Sequence, residues 1–332
     1  MEFATLLHLL QNPPEVVGSL WGEALLPKRG LTLFHSSSKM GKSMLSVNLA
    51  LAGARGLTSF LGQPLNGPFT TLILQSEIHL RGVYDRVDTM VKAMATHEGI
   101  TEEHLSRVYI NLERASRLSE DATFLEFQEL LRTIKPDFLI LDPLAHVLTS
   151  SENDNAIVGA MLERLGLLRD DPGCAIMLIH HDSKPTEGTS MRAPRQRARG
   201  ADRLNADPDC ILSLEPGARL ATGPSGKLHV ASRYGKSVAP FSIRLNEETL
   251  WFEQHVERGD PAAIAIWVAQ FPKGQCSEEE LITKIETEWG LHDPRQHRTA
   301  HKYIDTALEF NFIIQVVEGE AVHFHVKKEP TP

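Results

Sequence analysis

Five short runs in this chain are predominantly apolar, with no alternation of polar and apolar positions: Gly30 to His35, Thr70 to Gln75, Val108 to Ile110, Phe138 to Asp142 and Ala175 to His180. A strand with one wet face alternates; a strand covered on both faces does not, so these runs predict the interior of a sheet lying between two layers. The stretches between them have helical spacing. Met44 to Ala52 is apolar almost throughout, Val83, Val87, Met90, Val91 and Met94 recur on one face, and further helices are expected around Thr123 to Thr133 and Asn155 to Arg169. Strand alternating with helix is the pattern of an α/β fold with a mainly parallel sheet. From Cys210 to Phe252 the helices stop. Strand follows strand across turns at Pro216-Gly217 and Pro224-Ser225-Gly226, which predicts an antiparallel extension of the sheet.

The pattern changes again at Arg258-Gly259-Asp260. Beyond it, helical spacing runs from Ile264 to Phe271, Ser277 to Trp289 and Gln296 to Phe310. The second of these opens on Ser277-Glu278-Glu279-Glu280, a capping-box sequence. Two short strands, Phe312 to Val317 and Ala321 to Val326, bracket Glu318-Gly319-Glu320 as a hairpin. Three short helices and a terminal hairpin look like a small α+β, winged-helix-like domain. The expected organisation is therefore a core over residues 1–258, a winged-helix-like domain over 259–326 and a tail over 327–332.

Composition narrows the class. The chain has 332 residues, 42% hydrophobic and 23% charged, the profile of a soluble globular protein. No apolar run approaches the roughly 20 residues that span a bilayer, and Met1 to Thr5 has no basic segment of a signal peptide, so no membrane partner and a cytoplasmic location are expected. Cys174, Cys210 and Cys276 are far apart, which gives neither a zinc-ligand spacing nor a disulfide framework. The net charge of −9 argues against a uniformly basic nucleic-acid coat but leaves room for local basic patches.

The chemistry concentrates at strand ends. Between the first strand and first helix lies Ser36-Ser37-Ser38-Lys39-Met40-Gly41-Lys42-Ser43, which follows the phosphate-loop pattern G-x-x-x-x-G-K-[ST] except that Ser36 stands where the first glycine belongs. Strand, loop and helix in that order aim backbone N–H groups and a helix N-terminus at a phosphate. Lys42 is placed to reach the β- and γ-phosphates of ATP and Ser43 to ligate Mg²⁺. If the first position needs a positive φ, Ser36 is expected to be strained. Asp142, closing an apolar strand, is the expected Mg²⁺ acid, and Glu77, after the second strand, is the candidate for positioning the attacking water. His180-His181 share this edge and are candidates for sensing the γ-phosphate.

Lys184 to Arg203 is strongly basic, with Lys184, Arg192, Arg195, Arg197, Arg199 and Arg203 against Glu187 and Asp202. In an acidic chain such a Gly- and Pro-containing loop reads as a phosphate-backbone contact, with Arg192, Arg195 and Arg197 as the contacts and single-stranded DNA as the partner; a solvated loop or a protein interface is the alternative. No aromatic residue is interleaved for base stacking. In the last helix Arg295, Arg298 and Lys302 fall on adjacent turns. Glu278, Glu279, Glu280, Glu286, Glu288, Glu318 and Glu320 surround them in sequence, which favours a protein contact for this domain over DNA binding.

The order phosphate loop, Glu77, Asp142, His180-His181, basic loop and Ala231-Ser232-Arg233-Tyr234-Gly235 resembles the RecA-like P-loop NTPase core of hexameric helicases, in particular the plasmid RepA-like type of AAA ATPase, with the DnaB type more distant. Asp142-Pro143-Leu144-Ala145 followed by Glu152-Asn153-Asp154-Asn155, and Arg199-Gly200-Ala201-Asp202, are similar to the RepA-like pattern. The resemblance covers about Pro14 to Phe252; Ser36, His79 and Ala231 depart from it. It implies a Mg²⁺-dependent ATPase that assembles into a ring, a hexamer by the family's pattern, and acts on single-stranded DNA in replication. It further implies Glu77 as catalytic glutamate, Asp142 as Mg²⁺ acid, His180 or His181 as sensor and Arg233 as an arginine finger serving the neighbouring subunit. A regulatory or loader ATPase without unwinding, and a winged-helix DNA-binding regulator with a degenerate nucleotide site, remain the alternatives.

Overall fold

A computed structural model describes residues 3–13, 17–97, 99–112, 117–148, 154–182, 198, 202–220, 223–234, 238–255, 261–272, 275–289, 291, 297–309, 312–318 and 321–326. The chain divides into two compact units, Met1–Val238 with Leu245–Glu253, and Ala239–Arg244 with Gln254–Pro332.

The large sheet has nine strands: β1 (Leu31–Ser36), β2 (Thr71–Gln75), β3 (Val108–Ile110), β4 (Phe138–Asp142), β5 (Ala175–His181), β6 (Cys210–Leu220), β7 (Gly223–Ser232), β8 (Phe241–Asn246) and β9 (Trp251–Gln254). Their order is β9-β8-β7-β6-β1-β5-β4-β2-β3. Every pair from β6 to β3 is parallel, while β7 returns antiparallel to β6 with Ser232 opposite Cys210. The result is a RecA-like core: a mainly parallel sheet with an antiparallel extension, as the strand patterns predict.

Helices α1 (Lys42–Arg55), α2 (Leu80–His97), α3 (Asp121–Ile134) and α4 (Asn155–Asp170) flank the parallel part. Alternate strand residues Leu31, Leu33, Leu139, Leu141, Ile176 and Leu178 join Phe124, Phe127 and Leu131 of α3 and Val158, Leu162 and Leu165 of α4 in one core. The intervening Phe138 instead meets Phe69 edge-on, ring centroids 6.1 Å apart. Phe138, Leu139, Ile140 and Leu141 are each 0% exposed, which is why this run has no polar alternation.

Two buried polar residues fix the frame around the candidate loop. Asn48 sits inside apolar α1, where its side chain donates to Leu250 O at 3.2 Å and accepts from Phe252 N at 2.9 Å. Asp209 accepts from the Leu31 amide at 2.8 Å and from Arg169 at 2.7 Å, anchoring the start of β1. Both satisfy backbone groups whose burial without a partner costs about 1–3 kcal/mol each.

The C-terminal part runs α5 (Pro261–Gln270), β10 (Gln275–Ser277), α6 (Glu278–Trp289), α7 (His297–Glu309), β11 (Ile313–Glu318) and β12 (Ala321–Val326), with sheet order β10-β12-β11. Ile264, Val268, Leu281, Ile285, Ile304 and Phe324 form its core. The capping box at α6 is formed: Ser277 N donates to Glu280 Oε2 at 2.8 Å, and Glu280 N donates back to Ser277 Oγ at 3.3 Å. Strand β10 was not foreseen in the sequence pattern, because three residues are too few to show a period. Among the described residues, no helix is long and apolar enough to cross a membrane.

Candidate active site

Parallel strands all end at one edge, so a site built there collects residues distant in sequence. Register aligns Gln75 with Asp142 across β2 and β4, and Ser36 with His181 across β1 and β5. The loop after β1, the loop carrying Glu77, Asp142 and the His180-His181 pair thus meet at one edge.

The phosphate-loop sequence folds as a turn from Ser37 to Gly41 into α1, which begins at Lys42. Lys39 and Gly41 take left-handed φ values of 65° and 84°. Glycine is required at position 41 on two grounds: the φ itself, and a Cβ there would lie 2.8 Å from the Phe252 ring. Gly41 is the N-cap of α1 and offers no side chain, so the helix presents its first N–H groups to the loop. The strain expected at Ser36 is not found. Ser36 is the last residue of β1 in an extended strand, absent from the residues of positive φ. The left-handed conformations fall at Lys39 and Gly41 instead.

Lys42 is 5% exposed and folds back over the loop. Its ammonium donates to Ser36 O, Ser36 Oγ and Ser37 O, each at 3.1 Å, and lies 3.4 Å from His181 Nδ1. Burial pushes it below the ordinary lysine value; Asp182, Asp142 and Glu77, in that order, pull it back up.

Asp142 is 3% exposed. Burial raises its carboxyl to about 6, against the hydrogen bond it accepts from Ser43. Its Oδ1 is buried with no hydrogen-bond partner among the described residues. A carboxylate with one orphaned oxygen beside a serine hydroxyl is a hard-oxygen donor set of the kind Mg²⁺ takes. With a lysine and a helix N-terminus next to it, the residues fit a Mg²⁺-bound nucleoside triphosphate.

Glu77 lies two residues beyond β2 in an exposed position, and its charge acts on both Asp142 and Lys42. The loop it stands on is tied at its start by Ser76, whose amide donates to Asp142 O at 3.1 Å and whose hydroxyl lies 3.0 Å from His146 Nδ1. The two histidines are separated by the pleat: His181 is the one near Lys42, while His180, 1% exposed, pairs in register with His35.

A family model for the AAA domain matches residues 1–187, more than half of the chain. The chain belongs to the AAA domain family. The match takes in the phosphate-loop residues, Glu77, Asp142 and His180-His181. Among solved structures the chain is similar to a helicase ATPase domain, at 14% identity, covering 69% of this chain and 86% of that one with a TM-score of 0.50, a likeness of fold. No curated protein matches the sequence.

Arg233, beyond the matched AAA domain, is exposed at the end of β7. Its amide donates to Asp209 O at 2.8 Å and its guanidinium donates to Ala206 O. The Asp209 amide in turn donates to Leu31 O, at the start of β1, so Arg233 is at the sheet edge opposite the loop. Arg192, Arg195 and Arg197, with Lys184 and Arg199, lie outside the described residues, as do Glu152, Asn153, Gly235 and Arg295. The segment 183–197 is flanked by an antiparallel bridge between Asp182 and Ala198.

Three residues of the AAA domain's site are missing from the sequence reading. Asp182 lies 2.6 Å through Oδ1 from His35 Nδ1, its amide donates to Ser36 O at 3.0 Å, and its charge is the largest acting on Lys42. An acid directly after His180-His181 was the available signal. His35 carried none, since a histidine in a buried strand shows its partner only once β5 lies beside β1. Arg86, whose charge reaches Asp142 from α2, also gave no sign in sequence.

Proposed function

We propose that this chain is a Mg²⁺-dependent ATPase of the helicase type, assembling into a ring, a hexamer by the family's pattern, and acting on single-stranded DNA. The observation that carries the reading is the meeting at one sheet edge of Lys42, the Ser43–Asp142 pair with its orphaned oxygen, Glu77 and His181. In it, Lys42 and the N–H groups around Gly41 hold the phosphates of ATP. Ser43 and Asp142 hold Mg²⁺, which when bound neutralises charge on the phosphate oxygens. Glu77 orients water and takes its proton, and His181, beside Lys42, senses the terminal phosphate. Arg233 serves the site of a neighbouring subunit.

DNA contact is assigned to Arg192, Arg195 and Arg197. Neutralising all three lowers the slope of log affinity against log salt by about 0.7 per contact on a single strand. An unchanged slope removes the loop from the DNA interface. The decisive experiment for the whole reading is ATP turnover by wild type and Lys42→Ala across a titration of single-stranded DNA. Wild-type turnover that rises with DNA and vanishes in Lys42→Ala supports it; DNA-independent turnover leaves an ATPase of regulatory type; equal turnover by both proteins rejects the site.

For the C-terminal unit, the order helix–strand–helix–helix–hairpin supports the winged-helix reading. Arg298 and Lys302 are exposed on α7, but Glu279, Glu280 and Glu288 are exposed on α6, and Glu278 lies 3.2 Å from His301. This mixed charge favours a protein contact in assembly or partner docking. Deletion after Gly259 then leaves basal turnover largely intact and alters assembly; tight, sequence-specific duplex binding by the full chain that the deletion abolishes overturns the assignment.

A further inference from the structure

Ser36, the one departure from the phosphate-loop pattern, is more than a tolerated substitution. Its hydroxyl accepts from Lys42 Nζ at 3.1 Å and donates to Ser37 O at 2.9 Å. Ser37 O also accepts from Lys42, so Lys42, Ser36 Oγ and Ser37 O close a small ring of hydrogen bonds. A third acceptor, Ser36 O, is steadied from the other side by the Asp182 amide at 3.0 Å. An ammonium group has three donors. Each has an acceptor here before any phosphate arrives, and Ser36 is 0% exposed, so water does not compete for its hydroxyl.

We infer that the Ser36 hydroxyl parks the Lys42 ammonium on the loop and so sets the affinity of the site for nucleotide, making Ser36 an affinity-determining residue that a glycine at the same position cannot replace. This rests on the nucleotide-site reading above. Phosphate binding requires Lys42 to give up the loop acceptors, and the hydroxyl adds one more bond to be exchanged. Hydrogen bonds to a charged group contribute about 1.5 kcal/mol or more, close to a tenfold change in an equilibrium constant. The consequence is a site that binds nucleotide more weakly and releases it more readily than the residue pattern alone suggests. Desolvation, already lowering the Lys42 value, works in the same direction by favouring an ammonium held close to acceptors.

The test uses the full chain as wild type, Ser36→Ala and Ser36→Gly, with Mg²⁺-ADP as probe, titrated by calorimetry and followed in parallel by thermal unfolding. Ser36→Ala removes only the hydroxyl; Ser36→Gly also frees the backbone and serves if the alanine variant does not fold. The expected result has two opposite signs: each variant unfolds earlier than wild type without nucleotide, yet binds Mg²⁺-ADP about tenfold more tightly. A structural serine would lower stability and affinity together. Equal or weaker binding by both variants overturns the inference while leaving the nucleotide site standing. No binding by wild type or either variant removes the nucleotide reading itself, and the inference falls with it.

Discussion

Arg233 and Lys42 stand at opposite ends of one sheet. The Arg233 amide is level with the start of β1 through Asp209 and Leu31, whereas Lys42 is bonded to Ser36, the last residue of β1. Five strand residues at about 3.3 Å each separate the two levels by about 17 Å, farther than an arginine side chain extends. Arg233 therefore has no route to the phosphates of its own chain, and any role in catalysis must be played on another copy.

The first prediction follows. Arg233→Ala and Lys42→Ala are each expected to be inactive alone, with a loss of about 10³–10⁵ for the arginine if it stabilises transferred charge. Mixed assemblies regain part of the turnover, because some interfaces carry both wild-type residues. Turnover measured across mixing ratios, with assembly verified by light scattering, checks this; a flat zero counts against action between subunits.

Glu77→Gln keeps the shape of the side chain, which a truncation would not, and removes the oxygen that accepts a proton from water. Turnover is expected to fall about 10²–10⁴-fold with Mg²⁺-ATP binding retained. Wild-type turnover would transfer the role to another acid, with Asp182 the nearest candidate.

Asp142 links the site to stability. Its ordinary value is 3.8 and the folded value about 6, so the folded chain holds a proton through a pH window where the unfolded chain has released it. Stability contributed by the protonated form is present below about pH 4 and is lost as pH rises through about 6. Asp142→Asn therefore stabilises the protein in magnesium-free buffer at pH 8 by about 2–3 kcal/mol and changes little at pH 4, while Mg²⁺-dependent turnover disappears. Urea unfolding at the two pH values measures it; an equal effect at both pH values contradicts the burial of an ionised carboxylate.

Asn48 is the structural counterpart. Replacing it with leucine, close to it in size, leaves Leu250 O and Phe252 N without partners, at a cost of about 2–4 kcal/mol. Because α1 begins at Lys42, nucleotide affinity is expected to weaken along with stability. Chemical denaturation reads the first effect and Mg²⁺-ADP titration the second.

What could be seen in the sequence was whatever has a short period or a fixed spacing. Phe138 to Asp142 reads as a doubly buried strand because the unbroken apolar run is itself the trace of two covering layers, and Lys42 is placed by its immediate neighbours in the chain. His35 and Asp182 were invisible for the opposite reason: their contact depends on β5 lying beside β1, and strand order is decided by the packing of whole helices. Ser36 illustrates a subtler limit. The pattern marks a glycine as missing, but which residue of the turn bears the left-handed conformation depends on how the loop leaves β1, and that burden falls on Lys39 and Gly41. Strand β10 escaped because its three residues gain their identity from pairing with β12.

The bridge between Asp182 and Ala198 brings the two ends of segment 183–197 to a single point on the core. A segment clamped at its base is free to change length over evolutionary time, since each doubling adds only about 0.6 kcal/mol of closure entropy. Strand β4 has no such freedom: dropping one residue between Phe138 and Asp142 would invert the pleat and carry the acid to the wrong layer. Insertions and deletions among relatives should accordingly crowd into the segment after Asp182 and spare the strand before Pro143.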